Sequence, residues 1–282
     1  NWGGRSVRCR ESLSELTSAV ALSICDDKRM TRRIVEAAGV RVPERIDPES
    51  LSAIDAALSK FGALVVKPAR GEQGQGVAVG LTTMSEVQTA LVRARRICSE
   101  VLVEEQVQGE DLRLVVIDYK VVACALRRPP RVFGDGRSTL RALVEHQSRR
   151  RAAATGGEST IPIDAETERT LAEAGYRLDD VAAEGAEILV RKAANLHLGG
   201  TIHDVTDEVH PALIRAAVAA ARAIDIPVTG IDLMVKSPRE PDYAFIEANE
   251  RPGLANHEPQ PTAERFVDCL LYTSPSPRDL ST

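Results

Sequence analysis

Two carboxylates and a carboxamide stand close together in the stretch Thr229 to Gly253, TGIDLMVKSPREPDYAFIEANERPG. Residues 230–236 (GIDLMVK) and 243–248 (YAFIEA) are rich in strand formers, and Ser237-Pro238 and Pro241-Asp242 break them apart, so a β-hairpin is expected. With Lys236 opposite Tyr243, Asp232 falls opposite Glu247. Glu247 and Asn249 are two apart and share a strand face. Directly opposed like charges destabilise a sheet. A hard cation with oxygen ligands removes that conflict and needs such a cluster. A solvated acidic face is the plain alternative, weakened by the apolar flanks Ile231, Leu233, Phe245 and Ile246. The expectation depends on register, because a slip of one residue sends Asp232 to the other face.

A second group is cationic. Only six of the 36 basic residues are lysine, so each lysine merits a look. Lys67 ends a buried-type strand (ALVVK, 63–67) and feeds PARGEQGQGVAVG, a loop with glycines at 71, 74 and 76. Glycine permits close backbone approach, so the N–H groups of such a loop can cradle phosphates beside a lysine. The loop is neither a Walker A loop nor a Rossmann fingerprint, and by itself an ordinary turn explains it as well. Lys28 lies in the first turn of a helix capped by Asp26-Asp27, where a cation opposes the helix dipole. Arg191, Lys192 and Asn195 precede the Gly199-Gly200 pair in EILVRKAANLHLGGT, a set that suits an anionic ligand, although an exposed strand end reads the same way.

The elements that must position these groups follow in order. Residues 1–23 look like the end of an upstream element. The helix after Asp27 runs to about Ala38 and stops at Gly39. Asp47-Pro48 starts the next helix, with Pro48 at its first position, and Gly62 ends it. Thr83 and Glu86 form a capping box that opens a helix to about Ile97. VLVEEQV (101–107) is a strand, LRLVVI and VVACALR pair across Asp118-Tyr119, helices lie near 139–151 and 165–174, and Pro211 opens a helix to about Ile224. The tail LLYTSPSPRDLST has no periodicity. Composition is that of a globular chain of 282 residues, and its net charge of -5 argues against binding nucleic acid through phosphates. Five cysteines without a C-x-x-C pair fit reduced thiols in the cytoplasm. No apolar run is long enough to span a membrane.

Lys28, Lys67, the glycine loop, Glu104-Glu105, Arg191 with Asn195, then Asp232 and Glu247-x-Asn249 occur in one order that resembles the ATP-grasp superfamily over roughly residues 24–268. DVTDEVHP (204–211) and the R-x-x-A-N-x-x-x-G-G run from Arg191 resemble its cyanophycin-synthetase-like branch. CDDKRMTRRIVEAAGVRVP (25–43) and NERPGLANHEPQPTAERFVD (249–268) are similar to the ligase half of the N-acetylglutaminylglutamine amide synthetases. Those proteins are similar to fusions with an N-terminal acetyltransferase, which this chain lacks.

The resemblance implies an α+β, ATP-grasp fold, two lobes gripping ATP between them. It divides the chain into residues 24–106 as a small lobe, 107–269 as a large lobe with the metal site, and 270–282 as a disordered, non-native tail. It implies that Lys28 and Lys67 contact ATP phosphates and that Gly71, Gly74 and Gly76 close over them. Glu104, Glu105 and Val107 line the adenine and Asp111 takes the ribose hydroxyls. Asp232, Glu247 and Asn249 hold Mg²⁺, or Mn²⁺ in its place. Arg191 and Asn195 face the transferred phosphate and the acceptor. Related ligases often carry an arginine two residues before the first metal aspartate, where this chain has Gly230, which throws that role onto Arg191.

The implied activity is an ATP-dependent carboxylate–amine ligase working through an acyl phosphate, on an N-acetylated glutamine dipeptide or a similar amino-acid substrate. A cyanophycin-type peptide ligase, a nucleotide-binding module without turnover and a purely structural α/β domain are the rival readings. Expected partners are small molecules, with no nucleic acid and no membrane, and a homo-oligomer is left open.

Overall fold

A computed structural model describes residues 8–71, 75–192, 194–254 and 260–273. The chain opens with a short hairpin, β1 (Cys9–Arg10) and β2 (Leu13–Ser14), then helices α1 (Ala19–Asp26) and α2 (Lys28–Ala37). Next come β3 (Arg45–Ile46), α3 (Leu51–Phe61), β4 (Leu64–Pro68), β5 (Ala78–Leu81), α4 (Met84–Arg95) and β6 (Val101–Glu105). β7 (Glu110–Ile117) and β8 (Lys120–Arg128) follow, then β9 (Arg131–Phe133), α5 (Leu140–Ala154), α6 (Ala165–Glu173), β10 (Glu187–Leu189) and β11 (Thr201–Asp204). The last elements are α7 (Pro211–Ile224), β12 (Val228–Val235), β13 (Tyr243–Asn249) and α8 (Thr262–Thr273).

Most boundaries trace to local chemistry. The Asp27 carboxylate caps α2 by accepting from the Arg29 and Met30 N–H groups at 3.0 and 3.3 Å. Thr83 and Glu86 make the expected capping box on α4. His210 caps α7, with Pro211 in its first turn. The start of α3 differs from expectation. Ser50 is its cap, and Asp47 instead accepts from the Glu49 N–H at 3.0 Å in a local turn ahead of it. α8 continues through Leu270 to Thr273, so helix enters the stretch expected to be an unstructured tail. Leu270 is buried beside Phe266, which holds that end down.

The chain divides into two compact units, residues 1–125 with 204–282, and residues 126–203. Besides the β1–β2 hairpin, the first unit carries two larger sheets among the described residues. In the smaller, the order is β3-β6-β4-β5. Its one face is apolar: Leu64, Val66, Val101 and Val103 pack against Ile54 and Ala57 of α3 and Val87, Ala90, Leu91 and Ala94 of α4. Each large side chain buried there stabilises the unit by roughly 1.5–3 kcal/mol. In the larger sheet β8, β7, β12 and β13 are neighbours in that order, with β7–β12 and β12–β13 antiparallel. The second unit has its own core, built from Val132, Leu140, Val144, Leu171, Ile188 and Val190 among others.

Candidate functional site

β12 is central in its sheet, and its residues are flanked on both sides. Asp232 stands opposite Arg113 of β7 and opposite Glu247 of β13, while Gly230 stands opposite Asn249. The hairpin reaches this pairing by a different route from the expected one. Tyr243 pairs with Val235, not Lys236, and one extra residue enters β13 where the pairing steps from Leu233–Phe245 to Asp232–Glu247. That bulge at Ile246 restores the register. It also settles a conflict of faces. Uninterrupted alternation would put Phe245 and Glu247 on the same side. With the bulge, Phe245 is 2% exposed and pairs with the fully buried Leu233, while Glu247 shares the other side with Asp232.

Asp232 is 2% exposed. The Arg113 guanidinium grips it with two bonds, Nη2 donating to Oδ2 at 2.9 Å and Nε to Oδ1. Asn249 Nδ2 donates to Asp232 Oδ2 at 3.3 Å and lies 3.5 Å from Glu247 Oε1, so the carboxamide bridges the two carboxylates. Turning that amide over would present its oxygen to the same point. Two carboxylates and a carboxamide oxygen are hard donors, and they fit a divalent cation such as Mg²⁺ or Mn²⁺. Among the described residues no group of three or more His, Cys, Asp or Glu side chains is placed to hold a metal ion, so a cation here depends on Asn249 as its third protein ligand. Asp111 is two residues before Arg113 on β7 and lies on the same face of the sheet.

The face of the smaller sheet away from its apolar core carries Lys67 and Glu104. Lys67 pairs with Leu102 and Glu104 with Val65, and Lys67 Nζ lies 2.6 Å from Glu104 Oε2. Lys67 and Glu104 are 8% and 4% exposed. Lys28 Nζ donates to the Gly71 carbonyl at 2.8 Å, tying the start of α2 to the start of the glycine loop. Gly76, at the far end of that loop, has φ +71°, and a Cβ there would collide with Ile97 Cδ1 and come within 3.0 Å of Pro68 Cγ. Gly74 lies outside the described residues. Glu105 reaches Arg41, Oε1 to Nη2, at 3.3 Å, and its N–H donates to the Glu44 carbonyl at 2.9 Å. Val107 is half-buried just beyond β6. A cavity of about 930 Å³ opens beside α2 and β6, lined by Arg29, Arg32, Arg41, Leu102 and Glu105 among others. That volume lies within the range of small-molecule sites.

Arg191 and Asn195 belong to the second unit. Arg191 is 3% exposed, with Nη1 donating to Asp164 Oδ1 at 2.7 Å and to Thr167 Oγ1 at 3.0 Å, and Nη2 to Glu166 Oε2 at 2.5 Å. Asn195 Oδ1 accepts from the His197 N–H at 2.9 Å and caps the short turn Leu196–Leu198. The residue that sequence reasoning missed is Arg113. Its one signal is a lone charge inside the apolar run LRLVVI, on a strand otherwise read as core.

No family model matches the chain. The cyanophycin synthetase of Trichormus variabilis is 32% identical over 292 residues, which cover 98% of this chain and 32% of that protein. The chain thus spans about a third of the length of the curated relatives it matches. Among solved structures, the bifunctional glutathione synthetase from Pasteurella multocida aligns over 97% of this chain and 40% of its own, with a TM-score of 0.67 and 24% identity. The ATP-grasp ligase PsnB, complexed with minimal precursor, aligns over 92% of this chain and 64% of its own, with a TM-score of 0.52 and 14% identity. Among the described residues no helix is long and apolar enough to cross a membrane.

Proposed function

The chain belongs to the ATP-grasp superfamily, in its cyanophycin-synthetase-like branch, and from that premise we propose that it is an ATP-dependent carboxylate–amine ligase. The observation that carries the reading is the buried Asp232 with the half-buried Glu247 and Asn249 beside it on one face of the larger sheet, matched with Arg113.

The chemistry needs these parts. A carboxylate is a poor electrophile, because its leaving group would be oxide. One carboxylate oxygen attacks the γ-phosphorus of ATP, ADP leaves, and an acyl phosphate results. An amine then attacks the carbonyl carbon, inorganic phosphate leaves with the C–O bonding pair, and the amine loses a proton. Positioning and charge do most of the work in such transfers. Lys28 and Lys67 would hold phosphate oxygens, exchanging the Gly71 carbonyl and Glu104 for them. Gly71, Gly74 and Gly76 would close over the phosphates. Glu104, Glu105 and Val107 would line the adenine, and Asp111 would accept from the ribose hydroxyls. Asp232, Glu247 and Asn249 would hold Mg²⁺, which supplies neutralisation of the charge on the phosphate oxygens. Arg191 and Asn195 stay proposed for the transferred phosphate and the acceptor. Arg191 would have to leave Asp164 and Glu166 to do so. The division into a small lobe, 24–106, and a large lobe, 107–269, is proposed on the same footing, as is the cytoplasm as compartment.

For substrates we propose an N-acetylated glutamine dipeptide as carboxylate donor and ammonia as amine, on the likeness of residues 25–43 and 249–268. The 32% identity to a cyanophycin synthetase favours a second reading, a peptide ligase of that type. Phosphate release from ATP, scored against N-acetylglutaminylglutamine with ammonia and against other peptides with free amino acids as amine, separates the two. ATP binding with no release in any combination would leave a nucleotide-binding module and remove the ligase reading.

A further inference from the structure

Asp232 is nearly out of contact with water, and its counter-charge comes from inside the chain. An isolated carboxylate buried this far is costly, so some cation must accompany it. Arg113 sits directly across from it on the neighbouring strand and holds both oxygens. A guanidinium keeps its charge at any working pH, so two cations would compete for one carboxylate whenever a metal ion arrives. Gly230 makes the room this requires. A Cβ at that position would be 3.0 Å from Arg113 Cδ, 3.2 Å from Nη1 and 3.2 Å from Pro252 Cβ. The arginine stem therefore lies over the bare backbone of Gly230, and any side chain there would crowd it.

We propose that Arg113 is the resident counter-ion of Asp232, that it competes with the divalent cation for this carboxylate, and that it turns to anionic oxygens of the nucleotide once displaced. The proposal rests on the reading of Asp232, Glu247 and Asn249 as the cation site. It makes cation binding weak until a phosphate group is present to receive the arginine. The metal-free chain keeps its buried charge compensated, and the loaded chain gains a second cation for the phosphates.

The test is a titration of the full chain with Mn²⁺ alone, read by the loss of the free-ion electron paramagnetic resonance signal. Arg113→Gln should bind Mn²⁺ about tenfold more tightly than the parent, a size typical of linked sites. Arg113→Lys, which offers Asp232 a single-point contact, should fall between the two. Asp232→Asn placed on Arg113→Gln should remove the gain. Affinity for a non-hydrolysable ATP analogue at fixed Mn²⁺ should fall in Arg113→Gln, in the opposite direction to Mn²⁺ alone. Mn²⁺ affinity that is unchanged or weaker in both Arg113 variants overturns the proposal, and Arg113→Lys carries the test if the glutamine variant does not fold. If the Mn²⁺ gain appears but the analogue does not bind the parent, the nucleotide reading fails and the competition at Asp232 stands. If the analogue binds and no gain appears, the competition fails alone.

Discussion

Lys67 and Glu104 form an ion pair of 2.6 Å across neighbouring strands, with side chains only 10% and 5% exposed. Removing one member of such a pair leaves the other charged and buried, at about 3–5 kcal/mol. Glu104→Ala should therefore destabilise the nucleotide-free chain by roughly that amount. A phosphate would replace the lost carboxylate as partner for Lys67. Saturating ATP analogue should then raise the melting temperature of Glu104→Ala more than that of the parent. An equal rise in both would show that Lys67 does not meet the phosphates.

Glu247→Gln separates charge repulsion from cation binding. Glu247 lies opposite Asp232, and only the repulsion that the Arg113 pair leaves uncompensated opposes folding when no metal is present. The variant should melt at or slightly above the parent without metal. Its magnesium-dependent ATP turnover should drop sharply, because a carboxamide is a weaker ligand for a hard cation. A variant that melts well below the parent and turns over normally would make Glu247 a structural residue.

Gly76→Ala should destabilise the chain by about 1–3 kcal/mol, because the residue is held at positive φ. Part of that cost is contact with Ile97, which is 46% exposed and can be trimmed. Ile97→Ala on top of Gly76→Ala should recover the packing part only. Urea midpoints of the two single variants and the double variant resolve the parts. Full recovery would mean that the backbone angle is not constrained.

Asp164 gives a pH dependence. Burial alone would raise its carboxyl, but the Arg191 hydrogen bond, the Thr167 and Glu166 N–H groups and the Arg191 charge outweigh that and hold it below the ordinary carboxylate value. A depressed folded value means stability that is present above the unfolded value, about pH 4, and lost as pH falls through the folded one. Asp164→Asn should therefore melt below the parent at about pH 7, and the difference should shrink progressively as the pH falls below about 4, the unfolded carboxylate value. A constant difference would place the effect in packing around Arg191 instead.

What could be read without coordinates was mostly local. Asp27 and Thr83 with Glu86 announce helix starts because each bonds within a few residues of itself, and Pro211 because its fixed φ suits a first helical turn. The turn at Asp118-Tyr119 forms where it was expected. The Asp232–Glu247 pairing was also legible, although the strand reaches it through a bulge that plain alternation does not predict. A sign of the bulge was present all the same, since Phe245 and Glu247 cannot both suit one face. Arg113 was not legible as a partner of Asp232, because the two are 119 residues apart and only sheet order brings them together. Nor were the acidic partners of Arg191, which come from a different helix start.

The bulge at Ile246 has a bearing on chain length. Without that residue, Tyr243, Ala244, Phe245 and Glu247 would still meet Val235, Met234, Leu233 and Asp232 in unbroken alternation. β13 thus carries one residue of slack between the half that packs the core and the half that carries the carboxylate. A shortening by one at this point would leave every cross-strand partner in place. The same shortening before Phe245 would turn the phenyl ring outward, and after Glu247 it would turn the acid inward.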